Sequence, residues 1–261
     1  MINWKDLAEN VIEIAEAAGA AILDIYRNEA DFNVEMKSDD SPLTKADRAA
    51  NAVICEGLEN LSQVFPIVSE ENKAIPYEER KDFAYYWLVD PLDGTKEFIK
   101  RNGEFTVNIA LVYEQQPVFG VVYAPVLEEM YWAIKGQGAW MRKGTTQQTL
   151  RANTFSMSDE GLKVVCSRSH LNEGTQAFID ALNQPEKVSQ GSSLKFLLMA
   201  KGAAHVYPRL GPTMEWDTGA AQIVLEEAGG KVIDEETKAP LRYNKENLLN
   251  PYFIAYGNIT D

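Results

Sequence analysis

The feature that most constrains the fold of this chain is an apolar run that ends in two aspartates. Residues 85–89 read Tyr-Tyr-Trp-Leu-Val, which is typical of a buried strand, and Asp90 and Asp93 follow. A carboxylate that is buried without a partner costs several kcal/mol. The fold must therefore supply a partner for negative charge at the end of a core strand.

A turn after this strand would bring the two carboxylates together. Pro91 and Gly94 are turn formers, and on such a turn the Leu92 carbonyl and the Thr95 hydroxyl can join the aspartates. Hard divalent cations such as Mg²⁺ prefer oxygen ligands, and a cation would offset the repulsion between the carboxylates. The chain has two histidines and two cysteines, which argues against zinc.

Two other motifs share part of this spacing. A calcium loop requires a glutamate at its last position, where this chain has Arg101. Phosphatases of the haloacid dehalogenase type use Asp-x-Asp-Gly-Thr, with both carboxylates on one extended segment. Here one more residue separates Asp90 from Asp93, which turns the second carboxylate away unless the chain bends, so we rank this interpretation second.

Two further acidic sites also end apolar runs. Glu70 and Glu71 follow Phe-Pro-Ile-Val, and Asp217 lies at the start of a predicted helix. Each of these sites alone also suits a solvated turn or a helix cap. Together with the paired aspartates, they predict that Glu70 and Asp217 are the remaining protein ligands of a metal.

The periodicity predicts two helices followed by a sheet. Apolar residues at helical spacing indicate a first helix over 7–25 with Asn3 as its cap, and a second over about 45–61. Thr44 and Asp47 form a capping-box pattern at the start of the second helix. Strand-like runs follow at 64–68, 85–89, 106–112, 118–123 and 130–134. We expect these strands to form an antiparallel sheet packed on the helices.

From residue 153 onward the pattern alternates between strand and helix. We predict strands at 163–166, 205–207, 231–233 and 253–256, and helices at 174–182, 193–201 and 218–228. The predicted organisation is therefore an N-terminal α+β domain, 1–152, and a smaller C-terminal α/β domain, 153–261.

The charge and composition of the chain limit the classes of partner that it is expected to bind. The formal net charge is −14, which disfavours nucleic-acid polymers and anionic membranes. The charged start is unlike a signal peptide, and no uncharged apolar run approaches the roughly 20 residues of a membrane span. Cys55 and Cys166 are far apart, as expected of free thiols in a reducing cytoplasm. We expect a cytoplasmic protein.

These motifs, taken together, resemble the lithium-sensitive, magnesium-dependent phosphomonoesterases, the family of inositol monophosphatase and fructose-1,6-bisphosphatase. The signature is Glu-Glu after a strand, Asp-Pro-Leu-Asp-Gly-Thr, and Trp-Asp-x-x-Gly/Ala ahead of Glu-Ala-Gly-Gly. Within the family, the stretches 93–112, 191–196 and 216–221 are most similar to bacterial 3′(2′),5′-bisphosphate nucleotidases of the CysQ type. The resemblance covers nearly the whole chain and implies a layered αβαβα sandwich.

The resemblance also implies a ligand set and a mechanism. Two or three Mg²⁺ ions would be bound by Glu70, Asp90, the Leu92 carbonyl, Asp93 and Asp217. Thr95, with Asp47 and Glu71 behind it, would orient and help to deprotonate a water activated by the metal. The substrate phosphate would contact Leu92, Asp93, Gly94, Thr95 and Asp217, with free N–H groups of a helix starting at Gly94 and Thr95.

Substrate choice would depend on the C-terminal domain. The resemblance assigns the nucleotide to residues matching His170, Ser192, Lys195 and Arg209. The implied reaction is hydrolysis of adenosine 3′,5′-bisphosphate to AMP, with 3′-phosphoadenylyl sulfate as a further substrate and a link to sulfate assimilation. Alternatives are an inositol monophosphatase, or a non-catalytic metal-binding regulator with this fold. Monomer and homodimer both stay open, as does peripheral contact with the inner membrane's cytoplasmic face.

Overall fold

The computed structural model describes residues 2–28, 34–36, 42–166 and 172–260. The helices in these ranges are α1 (Trp4–Arg27), α2 (Lys45–Glu59), α3 (Tyr77–Arg80), α4 (Thr95–Ile99), α5 (Glu173–Asp180), α6 (Leu194–Ala200) and α7 (Glu215–Glu227). None of these helices is both long enough and apolar enough to cross a membrane.

Two sheets carry most of the strands. The larger one has the order β3 (Ile67–Ser69), β4 (Tyr85–Asp93), β5 (Thr106–Tyr113), β6 (Gln116–Ala124), β7 (Glu129–Ile134), β8 (Gly138–Lys143), β9 (Thr146–Thr149). The smaller one has the order β12 (Glu186–Ser189), β11 (Lys163–Cys166), β13 (Val206–Arg209), β15 (Phe253–Tyr256), β14 (Lys231–Asp234). Two minor pairs are β1 (Glu35–Met36) with β2 (Pro42–Leu43), and β10 (Thr154–Phe155) with β16 (Asn258–Ile259).

The elements stack in five alternating layers because side chains on a strand point alternately to opposite faces. Trp87 and Val89 belong to the core formed with α1 and α2. Tyr86 and Leu88, on the opposite face of the same strand, belong to the core formed with α6, α7 and the smaller sheet. The far face of that sheet packs on α5 through Ile179. The predicted αβαβα sandwich is confirmed.

The close approach of α7 to the larger sheet determines where Asp217 lies. Gly120 on β6 permits this approach, because a Cβ at that position would stand 2.6 Å from the Ala220 carbonyl oxygen. Any side chain there would push the helix off the sheet. The start of α7 is therefore held over the end of β4.

Most predicted elements are present, but several differ, and β12 at the edge of the smaller sheet was not predicted. The larger sheet was expected to be antiparallel, yet β3 pairs parallel with β4. The sheet also extends through β8, in which only Ala139 and Met141 are buried, and through β9, which is polar and exposed; neither has the continuous apolar run of a core strand. Asn3 is at the N-cap of α1, but its side chain contacts Asp6 instead of capping the backbone. The predicted capping box of Thr44 and Asp47 is confirmed.

Candidate active site

A β-bulge at the end of β4 brings the paired aspartates to one side of the strand. Asp90 lies opposite Asn108 and Asp93 opposite Thr106, so three steps along β4 match two along β5. The extra residue reverses the alternation once, and both aspartates consequently face the side of the sheet that Asn108 and Thr106 share. The bend expected from Pro91 is this bulge.

Glu70 reaches the same place through the parallel pairing of β3 and β4. Ser69 is in register with Val89, so the next residues, Glu70 and Asp90, emerge side by side at the ends of the two strands. The Glu70 N–H donates to the Val89 carbonyl at 3.1 Å. The Ser69 hydroxyl donates to the Asn51 side chain on α2 at 2.6 Å, which anchors the turn that carries Glu70.

Asp217 enters from the first turn of α7. Its Oδ2 accepts a hydrogen bond from the Met214 N–H at 2.9 Å, so this carboxylate also caps the helix. Its carbonyl oxygen accepts from the Ser193 hydroxyl at 2.8 Å. These contacts hold the backbone of Asp217 beside the loop that precedes α6.

The carboxylates repel one another strongly. Burial, followed by the charges of Glu70, Asp93 and Asp217, raises the pKa of Asp90 well above its usual range. Burial, followed by the charge of Asp93, raises the pKa of Asp217 to about 8. An acidic group with such a pKa is short of positive charge.

These groups suit a hard divalent cation by chemistry and by charge, since every donor is an oxygen. Within the described ranges, no three Asp, Glu, His or Cys side chains are already gathered into a ready-made metal site. The carboxylates stand close enough to raise one another's pKa, and the side chains of Glu70 and Asp90 are within hydrogen-bond distance of each other. Like charges this close repel one another, and a cation bound between them would offset that repulsion.

Thr95 and Asp47 form a pair next to the carboxylates. The Thr95 hydroxyl lies 3.1 Å from Asp47 Oδ1 and 3.3 Å from the Leu92 carbonyl oxygen, so its single proton goes to one of them at a time. Asp47 is buried, and burial raises its pKa, while hydrogen bonds from Thr44 and Thr95 act in the opposite direction. A hydroxyl next to a buried carboxylate can relay a proton from a bound water.

A cavity of about 630 Å³ opens beside these residues, large enough for a small nucleotide. Asp93 and Asp217 lie on its acidic side, and Lys195 and Arg209 also line it. The Arg209 guanidinium donates to the Pro212 carbonyl at 2.7 Å, whereas its buried Nε has no hydrogen-bond partner. The Arg209 charge also acts to lower the pKa of Asp217, against the effect of burial, so this side chain is a cation close to the carboxylates.

The other predicted site residues have varied positions. Gly94 has φ 95° at the start of α4, a conformation that favours glycine. Glu71 is half-buried on the turn after β3. Lys195 Nζ donates to the Ser192 carbonyl at 2.9 Å, and the Ser192 hydroxyl donates to Asp93 Oδ2 at 2.6 Å. His170 lies outside the described residues.

Sequence reasoning missed three buried polar residues here, namely Thr106, Asn108 and Ser193. Asn108 Nδ2 lies 3.0 Å from Ser193 Oγ and 3.4 Å from Asp93 Oδ2. An asparagine in the otherwise apolar run Val107–Val112 was the signal available. Buried polar groups of this kind are nearly always bonded, so such a residue indicates a partner outside its strand.

Comparison with known proteins gives a consistent result. The model of the inositol monophosphatase family matches residues 3–255. A Salmonella typhimurium protein named 3′(2′),5′-bisphosphate nucleotidase CysQ is 44% identical over 247 residues, covering 95% of this chain and 98% of that protein. The protein of the same name from Haemophilus influenzae is 37% identical over 256 residues, covering 97% and 94%.

Solved structures agree with these matches. The crystal structure of CysQ from Bacteroides thetaiotaomicron superposes with a TM-score of 0.86 at 42% identity, covering 98% of both chains. Inositol monophosphatase from Anabaena gives a TM-score of 0.75 at 25% identity, covering 98% of this chain and 93% of that one.

Proposed function

This chain belongs to the inositol monophosphatase family, and on that premise we propose that it is a Mg²⁺-dependent 3′(2′),5′-bisphosphate nucleotidase. The proposed reaction hydrolyses adenosine 3′,5′-bisphosphate to AMP and phosphate. 3′-Phosphoadenylyl sulfate is the proposed further substrate, which links the enzyme to sulfate assimilation. The names of relatives that share 44% identity over nearly their whole length support this choice.

We propose that two or three Mg²⁺ ions bind to Glu70, Asp90, the Leu92 carbonyl, Asp93 and Asp217. The raised pKa values of Asp90 and Asp217 support this assignment, because they show carboxylates that lack compensating charge. When bound, the ions would lower the pKa of water and stabilise the charge that develops on the phosphoryl oxygens.

The protein's own proton path runs through Thr95. The attacking water donates to Thr95 Oγ1 while the Thr95 hydroxyl donates to Asp47 Oδ1, 3.1 Å away. The buried Asp47, with its raised pKa, accepts the proton more readily than an exposed aspartate would. Glu71 supports this path in the proposal. Water attacks phosphorus, the bond to the ribose 3′-oxygen breaks, the released oxygen takes a proton from solvent, and no phosphorylated protein forms.

The observation that carries the choice of a bisphosphate is the position of Arg209. This residue lines a cavity whose acidic side holds Asp93 and Asp217, and its positive charge acts on Asp217. Lys195 lines the same cavity. A substrate with two phosphates can place one at the carboxylates with their cations and the other at these two side chains. We assign His170 and Ser192 to the nucleotide on the resemblance alone.

The test compares phosphate release from adenosine 3′,5′-bisphosphate, 3′-AMP, inositol 1-phosphate and fructose 1,6-bisphosphate, with Mg²⁺ and then with added Li⁺. We expect the highest kcat/KM for the nucleotide bisphosphate, and inhibition by Li⁺. A preference for inositol 1-phosphate would make the chain an inositol monophosphatase. No turnover of any substrate, together with retained Mg²⁺ binding, would favour the non-catalytic regulator.

Two substitutions of Arg209 test whether this side chain binds the second phosphate of the substrate. Arg209→Met should raise KM for adenosine 3′,5′-bisphosphate about tenfold or more, since a charge-assisted hydrogen bond contributes about 1.5–3 kcal/mol. It should change KM for 3′-AMP much less, because that substrate has no second phosphate to lose. Arg209→Lys should restore part of the loss. Arg151→Met, an exposed arginine beside another cavity, is the matched control.

We also propose the domain boundary near residue 152 and a cytoplasmic location. The larger sheet ends at Thr149 and the smaller one begins at Lys163, which supports the boundary. Cys55 and Cys166 are free thiols, as is common in the reducing cytoplasm.

A further inference from the structure

One oxygen of Asp93 is bound by the protein itself. Oδ2 accepts from the Ser192 hydroxyl at 2.6 Å, from the Ser193 N–H at 2.7 Å and, more weakly, from Asn108 Nδ2 at 3.4 Å. The hydrogen bonds that the described residues donate to this carboxylate all end on Oδ2. Oδ1 consequently stays on the other side of the carboxylate, available to a cation. We call Asn108, Ser192 and Ser193 the Asp93 clamp.

The donors of the clamp are themselves fixed. Ser193 Oγ donates to the Asp217 carbonyl at 2.8 Å, so it accepts from Asn108 Nδ2 at 3.0 Å. This sets the orientation of the Asn108 amide, whose Oδ1 faces the Thr106 hydroxyl at 3.0 Å. The Thr106 hydroxyl also lies 2.6 Å from Ser192 Oγ and shares its one proton between the two.

The clamp joins three elements that are distant in sequence. Asn108 lies on β5, Ser192 and Ser193 lie in the loop before α6, and the Asp217 carbonyl belongs to α7. The loop is tightly fitted: the Gly191 N–H donates to Glu104 Oε2 at 2.8 Å, and a Cβ on Gly191 would stand 2.9 Å from the Glu104 carbonyl oxygen. One hydrogen-bonded cluster therefore connects both sides of the candidate site.

Ser192 adopts a backbone conformation that favours glycine, with φ 52°. A serine in this region is strained, and surrounding contacts must hold it there. Glycine would fit with less strain but would have no hydroxyl to donate to Asp93. The strain and the hydroxyl together indicate that this position serves the Asp93 carboxylate and not the loop alone.

We propose that Asn108, Ser192 and Ser193 are positioning residues that hold Asp93 Oδ2, so that Oδ1 points toward the divalent cations. This inference rests on the proposed function for the identity of the ligand. The physical reason is repulsion: with Glu70, Asp90 and Asp217 nearby, a freely rotating Asp93 would turn away, and the cation would have to reverse that rotation. A carboxylate that is already oriented binds the cation more tightly.

The test measures Mn²⁺ affinity in the absence of substrate, by the electron paramagnetic resonance signal of free Mn²⁺, and Mg²⁺ affinity by calorimetry. Asn108→Ala and Ser192→Gly should each raise the Kd for the cation about 10- to 100-fold. Ser192→Gly also relieves the positive φ, so it should fold well. Ser193→Thr, which keeps a hydroxyl, should retain more affinity than Ser193→Ala.

The matched control is Asn244→Ala. Asn244 is also a buried asparagine, and its side chain bonds Arg80 outside the site. This variant should lower Tm yet leave the cation Kd within about twofold, because it removes no contact to Asp93. If the clamp variants lower Tm but keep the wild-type Kd, the cluster is only structural and the inference is wrong.

Turnover then separates this inference from the proposed function. In Asn108→Ala and Ser193→Ala, which leave the proposed nucleotide contacts in place, the Mg²⁺ concentration for half-maximal turnover should rise with the Kd, and kcat at saturating Mg²⁺ should recover to within a few-fold. Weakened cation binding with no turnover in any protein would overturn the proposed function and leave the clamp intact. Wild-type protein that binds neither Mn²⁺ nor Mg²⁺ would overturn both.

Discussion

Two carboxylates in the first turn of α7, Glu215 and Asp217, are compensated in different ways. Glu215 is fully buried and accepts from the Asn244 N–H at 2.7 Å, from the Lys245 N–H at 3.1 Å and from the Lys245 ammonium. Burial still raises the pKa of Glu215, while Lys245 acts against this effect. The protein itself supplies the partners of this carboxylate.

Asp217 has a different environment. One N–H, from Met214, donates to its side chain, and the nearby charges of Asp93 and Glu70 raise its pKa in addition to burial. Arg209 acts in the opposite direction and does not compensate for them. Burial of a carboxylate therefore does not by itself indicate a functional site. A buried carboxylate whose negative charge the protein does not compensate is a better indication, because an external cation would stabilise it.

The largest effect is expected at the uncompensated site. Asp93→Asn should lower Mg²⁺-dependent kcat/KM by about a thousandfold, or ~4 kcal/mol, because it removes a charged metal ligand. The same variant should unfold at an equal or higher urea concentration than the wild type when cations are chelated, since it relieves repulsion around Asp90.

Asp93→Asn needs two assays on one preparation, phosphate release and urea unfolding followed by circular dichroism. Near-wild-type turnover would show that Asp93 does not bind the metal. A large loss of stability would place Asp93 with Glu215, among carboxylates that the fold requires.

At Glu215, whose charge the protein compensates, a substitution should instead lower stability. Lys245→Met should lower the free energy of unfolding by about 3 kcal/mol, because it leaves the buried Glu215 carboxylate without its cation. Lys5→Met is the control, since the pair of Lys5 with Glu9 is exposed and contributes less than about 1 kcal/mol. Equal unfolding midpoints for the two variants would show that Lys245 does not compensate the Glu215 carboxylate.

The smallest effect is the pH dependence of stabilisation by Mg²⁺. The pKa of Asp217 is about 8 in the folded protein against a usual 3.8, so the folded state holds this proton more tightly than the unfolded chain. Without cations, the free energy of unfolding should therefore decline as pH rises from about 3.8, the usual pKa, to about 8, the pKa in the folded protein.

A cation replaces that proton, so added Mg²⁺ should raise Tm more at high pH than at low pH. At a hundred times Kd the gain is about 2.7 kcal/mol, or roughly 5 °C. Differential scanning fluorimetry in EDTA and in Mg²⁺, at pH 6 and pH 8.5, measures this gain in Tm. A larger gain at the lower pH would contradict the assignment of Asp217 as a metal ligand.

Local patterns in the sequence were sufficient for much of the fold. Helical spacing predicted α1 and α2, and the capping box at Thr44 formed as expected. The same reasoning missed β8, where buried Ala139 and Met141 alternate with less buried residues over a short run, and β9, which is polar and exposed at the end of the sheet. It also could not predict that β3 pairs parallel with β4, because pairing direction depends on residues far apart in the chain.

The sequence by itself determined most helices and core strands and the identity of the acidic residues, since these depend on spacing along the chain, whereas the layered sandwich was implied by the resemblance to the family. Only the tertiary structure decided which carboxylates the protein compensates, and that Asn108 and Ser193 contact Asp93. The physical reason is that electrostatic compensation and hydrogen bonding depend on distance in space, and these partners are brought together only when the two sheets pack around α6 and α7.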